Sequence, residues 1–208
     1  MPSSTVTPAS TPQLQPRPIP ELTVPALVRL LARGGVTIRE TDDLDAARLY
    51  VKLDQGGVIR YIGLADSRGR HTDWTRMART ARTRRSERAS KAALDLFITE
   101  RAWTHVPLEV VDVDPIVMRA ALAEWTGVDQ AMALASSALT PRDIEAIIIR
   151  IAMMTGTAIA NAAHASIFYR PTAHQQVAEV LVDLEYRAHL PAPGSAPVVE
   201  TPEEPLCA

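Results

Sequence analysis

The sequence predicts an α+β protein with a small three-stranded antiparallel sheet flanked by helices and a C-terminal helical extension. Apolar and polar residues roughly alternate on both sides of an Asp-Gln-Gly-Gly segment at residues 54–57, which predicts a β-hairpin over residues 47–64. Weaker alternation over residues 103–111 predicts a third strand. Helical spacing fills the interval between them and follows the third strand, so the predicted order is β-β-α-α-β-α.

The elements before the hairpin are short. Residues 1–22 are rich in Pro, Ser and Thr and are predicted to form a disordered tail. A domain over residues 23–128 then begins with a helix at residues 25–32, which ends at Gly34 and Gly35. Residues 36–39 alternate over too few positions to predict more than a brief strand.

Two helices are predicted between the hairpin and the third strand. The first follows the spacing of Trp74, Met77, Ala78 and Ala81, and the second covers residues 86–100. After the third strand, the Asp114-Pro115 pair predicts a helix start, because proline is favoured in the first turn. This helix is expected to run to about residue 125.

Residues 129–190 are predicted to form the helical extension, and residues 191–208 a flexible tail. A helix start is expected at Thr140, and an amphipathic helix after Pro171. Residues 151–169 contain no charged side chain, so a membrane span is one interpretation. Their alanine-rich composition with several polar residues favours a buried helix instead.

Charge is distributed unevenly along the chain. The formal net charge is −2, but residues 67–91 carry nine basic side chains against two acidic ones. A basic segment within an otherwise acidic protein predicts a localised site for a polyanion, with DNA as the expected partner. Cys207 is the only cysteine, so no internal disulfide is expected. The N-terminus does not have the pattern of a signal peptide, which predicts a cytoplasmic protein without a membrane partner.

The hairpin and the basic segment together predict a phosphate site. Tyr50 lies on the first hairpin strand and Tyr61 on the second, and the arginine-rich segment follows directly. This order can bring two phenol groups and a guanidinium group around one phosphate.

Four features occur in the order typical of one nuclease family: Tyr50, the tripeptide Tyr61-Ile62-Gly63, Arg70 and Glu124. Over residues 46–127 the chain resembles the GIY-YIG nuclease superfamily. The second tripeptide matches letter for letter, whereas the first reads Arg-Leu-Tyr and keeps only its tyrosine. The resemblance implies the family fold, which is a three-stranded antiparallel sheet flanked by helices.

The resemblance also implies a DNA endonuclease that hydrolyses phosphodiester bonds with a single divalent metal ion. Tyr50 or Tyr61 would activate or orient water, and Arg70 would stabilise charge on the phosphate. Glu124 would hold Mg²⁺ or Mn²⁺, and His71 could transfer a further proton.

Several alternatives stay open at the level of the sequence. Strand tyrosines often belong to a core, and an arginine run can form a solvated helix face. A nuclease-like domain that binds nucleic acid without cleaving it is the first alternative function, and a protein-interaction module formed by the C-terminal helices is the second. Arg68 and Arg76 are alternatives to Arg70 at the phosphate. The predicted nucleic-acid-binding residues are Arg68, Arg76, Arg79, Arg82, Arg84, Arg85 and Arg88.

Overall fold

The computed structural model describes residues 21–64, 102–163 and 170–189. These residues form an α+β structure, as the sequence predicts, with one antiparallel sheet covered by helices. The strands are β1 (Val36–Glu40), β2 (Leu49–Leu53), β3 (Ile59–Leu64) and β4 (Thr104–Val113). The helices are α1 (Val24–Arg33), α2 (Pro115–Ala123), α3 (Asp129–Ala135), α4 (Pro141–Met154) and α5 (Pro171–Ala188), with a short 3₁₀ helix at Ala160–Ala163.

The sheet has four strands in the order β1-β4-β2-β3, so the prediction of three strands was wrong. The additional strand is β1, the brief strand predicted at residues 36–39, which pairs antiparallel with β4. Val36 and Ile38 are buried, which explains why this short segment is held in the sheet. Its partner strand lies about seventy positions further along the chain, and local alternation gives no information about such a pairing.

The predicted hairpin is confirmed. β2 pairs antiparallel with β3, and β4 pairs with the other edge of β2 as the third predicted strand. The turn closes through a hydrogen bond from Gly57 N to Asp54 O of 3.0 Å, and Gly57 has a φ of 76°. Asp54 Oδ1 accepts hydrogen bonds from the amides of Gly56 and Val58, and Asp54 Oδ2 accepts one from Arg60 Nε at 2.7 Å. The turn therefore has both the backbone conformation and the side-chain contacts that a tight connection needs.

The predicted helix starts are also confirmed. Asp114 caps α2 by accepting hydrogen bonds from the amides of Ile116 and Val117, and Pro115 occupies its first turn. Thr140 and Asp143 form a capping box at the start of α4. By contrast, α3 has no side-chain cap, and its start had no recognisable signal in the sequence.

The prediction of a buried helix over residues 151–169 was wrong. Helix α4 ends at Met154, and Gly156 takes the left-handed φ of 70° that ends many helices. Thr157 then accepts a hydrogen bond from Leu22 N at 2.8 Å, which binds the chain to the N-terminal segment instead of continuing the helix. Residues 164–169 lie outside the described residues. In the ranges that the structure describes, no helix is long and apolar enough to cross a membrane.

The helices pack around a single hydrophobic core. Leu49 and Val51 of β2 share one face of the sheet with their strand partners Ile62 and Leu108. Helix α1 packs on β1 and α5, and α4 packs on both β3 and α5. The side chains that the helices contribute to this core include Leu27, Leu30, Ile147, Ile151, Val177 and Leu181.

A buried polar contact joins α4 to α5. Asp143 Oδ1 lies 2.9 Å from His174 Nε2, and the two side chains are only 2% and 1% exposed. The other carboxylate oxygen accepts a 2.6 Å hydrogen bond from the Thr140 hydroxyl. Asp143, which belongs to the capping box of α4, therefore also fixes the first turn of α5.

Candidate active site

The second face of the sheet carries the two tyrosines that the sequence singles out. Tyr50 lies opposite Gly63 of β3, and Lys52 lies opposite both Tyr61 and His105. Because paired residues of antiparallel strands share a face, all five side-chain positions lie on the same side of the sheet. The ring centroids of Tyr50 and Tyr61 are 5.8 Å apart, and the His105 ring stacks on Tyr50 at 4.9 Å. We call Tyr50, Tyr61 and His105 the tyrosine cluster.

Gly63 leaves room for the Tyr50 ring. A Cβ atom at this position would lie 2.4 Å from Tyr50 Cζ and 2.5 Å from its hydroxyl oxygen, closer than any real side chain permits. A glycine inside a strand often marks such a close approach. The close approach of the Tyr50 ring therefore explains why the last residue of the Tyr-Ile-Gly tripeptide is a glycine.

The two phenol groups are hydrogen bonded and protonated at neutral pH. Burial, opposed by the hydrogen bond with Tyr61, raises the pKa of Tyr50 to about 12. Burial, followed by the charge and hydrogen bond of Tyr50, raises the pKa of Tyr61 further above its usual range. The two phenol groups share a hydrogen bond, and burial affects Tyr61 together with the charge of Tyr50. Tyr50 is therefore the more easily ionised of the two.

Glu145 of α4 is the carboxylate whose charge acts on this cluster, because it contributes to the raised pKa of both tyrosines. Burial raises the pKa of Glu145 itself to about 7, and the nearby positive charge of Arg142 opposes this shift. A carboxyl group with such a pKa exchanges its proton near neutral pH, which suits acid–base chemistry. Its helix packs directly on β3, the strand of Tyr61.

The other predicted site residues fall into two groups. Glu124 is exposed and follows α2 as its C-cap residue, and the next residue, Trp125, lies 4.6 Å under the Arg187 guanidinium. Helix α2 packs against α1, α3 and α5. The role of Glu124 as a metal ligand stays a prediction. Arg70, His71 and the predicted nucleic-acid-binding arginines lie outside the described residues, as do the two helices predicted between residues 74 and 100.

Sequence reasoning missed three residues near the tyrosines. No spacing in the sequence links His105 to the tyrosines, and only the strand register brings it to Tyr50. Glu145 follows the buried Ile144 in a helix rich in isoleucine, and nothing in that local pattern indicates a partner in the sheet. Asn161 contacts Ile62, the residue after Tyr61, across 99 positions of sequence. The only usable signal was the alternation of side chains between the two faces of the predicted strand 103–111, and it applies to His105 alone.

No group of three or more His, Cys, Asp or Glu side chains within residues 21–64, 102–163 and 170–189 is arranged to hold a metal ion. A one-carboxylate site, as the family resemblance implies, would need fewer protein ligands, because Mg²⁺ usually keeps several water molecules. Glu145 fits such a site chemically, since a bound cation favours the ionised form of a carboxylate that burial otherwise keeps partly protonated.

No protein-family model, curated protein or solved structure is significantly similar to this chain.

Proposed function

We propose that this protein is a DNA endonuclease of the GIY-YIG type, with the tyrosine cluster as its reactive centre. The observation that carries the proposal is the hydrogen-bonded pair of Tyr50 and Tyr61 on neighbouring antiparallel strands, with the exposed His105 stacked on Tyr50. The basic segment begins a few residues after Tyr61 along the chain, so its attachment point lies next to the cluster. This proximity supports a substrate that is a polyanion.

The protonation states suggest how the residues divide the work. Protonated phenols donate hydrogen bonds, so the tyrosine pair would orient a water molecule or a phosphate oxygen rather than act as phenolate bases. His105 is exposed, and histidine is the side chain that enzymes use most often for proton transfer. Arginines of the basic segment, Arg70 first among them, would hold the phosphate through paired hydrogen bonds.

A divalent metal ion, when bound, would neutralise charge that develops on the leaving oxygen. Two carboxylates are candidates for holding it. The family resemblance assigns this role to Glu124, whereas the charge of Glu145 acts on both tyrosines. We propose Glu145 as the carboxylate of the site and Glu124 as the alternative.

A nucleic-acid-binding domain without cleavage is the second candidate function. The burial of both phenols favours it, since Tyr50 is 0% and Tyr61 3% exposed. A phenol that acts on substrate has to reach it, and access to these two rings requires that covering groups move.

The test is an incubation of the full-length protein with supercoiled plasmid and with branched DNA, in Mg²⁺ or Mn²⁺ and in EDTA. Metal-dependent nicking supports the endonuclease, and binding without nicking supports the second candidate. If the protein neither nicks nor binds DNA, an interaction module formed by the C-terminal helices becomes the better explanation.

Two matched variants then identify the carboxylate. Glu145→Gln should abolish nicking and spare DNA binding, while Glu124→Gln, at an exposed position, should nick at the wild-type rate. The reverse result would assign the role to Glu124.

A further inference from the structure

The side chain of Asn161 binds the outer edge of β3 at Ile62. Among the described residues β3 is the last strand of the sheet, and at its start Ile59 N donates a 2.8 Å hydrogen bond to Leu22 O. Asn161 Oδ1 accepts a hydrogen bond of 2.8 Å from Ile62 N, and Asn161 Nδ2 donates one of 2.6 Å to Ile62 O. The side-chain amide thus takes the place of a neighbouring backbone at one residue of the strand.

This contact is buried and specific. Asn161 is 2% exposed, and it is the only asparagine in the chain. A side-chain amide carries an acceptor oxygen and a donor nitrogen on the same carbon, which matches the N–H and C=O of one residue in a strand. A carboxylate can accept the first hydrogen bond but cannot donate the second.

The position of the contact connects it to the tyrosine cluster. Ile62 lies between Tyr61, which is hydrogen bonded to Tyr50, and Gly63, on which the Tyr50 ring packs. A displacement of β3 at Ile62 would move both neighbours relative to Tyr50. Proton transfer and hydrogen bonding tolerate donor–acceptor distances of only about 2.6–3.2 Å, so even a small displacement would matter.

We infer that Asn161 is a positioning residue of the tyrosine cluster: its amide fixes β3 at Ile62 and so holds Tyr61 and Gly63 against Tyr50. The residue lies beyond the segment that resembles the nuclease family, so the helical extension completes the site. The kinetic part of this inference rests on the proposed endonuclease function, while the structural part stands without it.

Two variants and one control test the inference. Asn161→Leu keeps the shape of the side chain and removes both hydrogen bonds. Asn161→Asp keeps the acceptor and regains a donor only when its carboxyl group is protonated. Gln176→Met is the control, because the Gln176 side-chain amide also joins two backbone groups, accepting a 3.0 Å hydrogen bond from Ala131 N and donating one of 2.7 Å to Gly127 O, neither of which lies on β3.

The structural readout is NMR of the full-length protein. In Asn161→Leu, the Ile62 amide should exchange with solvent about tenfold faster or more, as expected when a buried hydrogen bond is lost. The ring signals of Tyr50 and Tyr61, among four tyrosines in the chain, should shift. Gln176→Met should leave both readouts unchanged. Unchanged Ile62 exchange and unchanged ring signals in Asn161→Leu would overturn the inference, even if the wild-type protein cleaves no DNA.

The kinetic readout separates positioning from general destabilisation. Asn161→Asp should cleave more slowly than wild type at pH 8, with kcat reduced and DNA affinity retained. Its rate relative to wild type at the same pH should recover at pH 5.5, because the protonated carboxyl group restores the donor to Ile62 O. A relative rate that does not change with pH, or a loss of kcat in Gln176→Met of the same size, would overturn the inference.

Discussion

Replacing Gly63 by alanine introduces a methyl group where the Tyr50 ring lies. The new Cβ would be 2.4 Å from Tyr50 Cζ and 2.6 Å from Cε1, while ordinary contact begins at 3.4 Å, so the ring or the strand must move by about 1 Å. The ring has little freedom to move, because Tyr50 is fully buried, hydrogen bonded to Tyr61 and stacked on His105.

The size of the effect follows from these contacts. Overpacking of a core typically destabilises a protein by about 1–3 kcal/mol. If the ring moves, the hydrogen bond and the ring stacking each lose roughly 0.5–1.5 kcal/mol. We therefore expect Gly63→Ala to lower the free energy of unfolding by about 2–4 kcal/mol.

Urea denaturation measures this change, and Gly56→Ala is the matched control. The Cβ of that variant meets only Asp54 Oδ1, at 3.3 Å, in an exposed turn without a positive φ, so we expect a change within about 0.5 kcal/mol. In a Tyr50→Ala background the effect of Gly63→Ala should largely disappear, because the clash is removed. A Gly63→Ala protein as stable as wild type, or an equal loss in the Tyr50→Ala background, would refute the packing argument.

Three further predictions follow from the charged groups. Because burial raises the pKa of Glu145 to about 7 from 4.5, wild-type stability should fall as pH rises between these values, by up to about 3 kcal/mol. Glu145→Gln should remove that dependence in urea titrations, and an unchanged slope would contradict the assignment. Burial alone would raise the pKa of Asp143, but hydrogen bonds from Thr140 and His174 outweigh burial and lower it. The stability that ionised Asp143 contributes should therefore be lost as pH falls below 3.8. Asp143→Asn should be less stable at pH 7 and should lack this acid-dependent loss; the same loss on acidification would show that another group causes it. Finally, each lost phosphate contact should reduce the slope of log K against log salt for duplex DNA by about 0.9. The test neutralises four arginines together: Arg79, Arg82, Arg84 and Arg85. If the slope stays the same in this variant, the basic segment is ordinary surface.

Local sequence signals were sufficient for the elements that local chemistry determines. The Asp54 turn and its two glycines fix the hairpin, and Asp114 and Thr140 cap their helices as the sequence indicates. The end of α4 was missed because a run of uncharged residues hides the Thr155-Gly156 stop, where glycine adopts a left-handed φ.

Contacts between distant segments could not be predicted in this way. β1 joins the sheet through β4. The charge of Glu145 acts on the tyrosines and Asn161 binds Ile62 beside Tyr61, and both residues lie about 80 to 110 positions later in the chain. Strand register and helix packing determine these contacts, and no local spacing in the sequence indicates them. The two tyrosines were found because both lie within one hairpin, where the separation along the chain determines the separation across it.

The most direct measurement of the central claim is the plasmid-nicking rate of Tyr61→Phe, with Tyr186→Phe as the control. The first variant removes one hydroxyl from the tyrosine cluster, and the second removes one from α5. We expect Tyr61→Phe to nick at least about 100-fold more slowly with unchanged DNA affinity, since removing one positioned hydrogen-bond donor from an active site typically costs that much or more. Tyr186→Phe should retain the wild-type rate. A Tyr61→Phe protein that nicks as fast as wild type would contradict the assignment of the tyrosine cluster as the reactive centre.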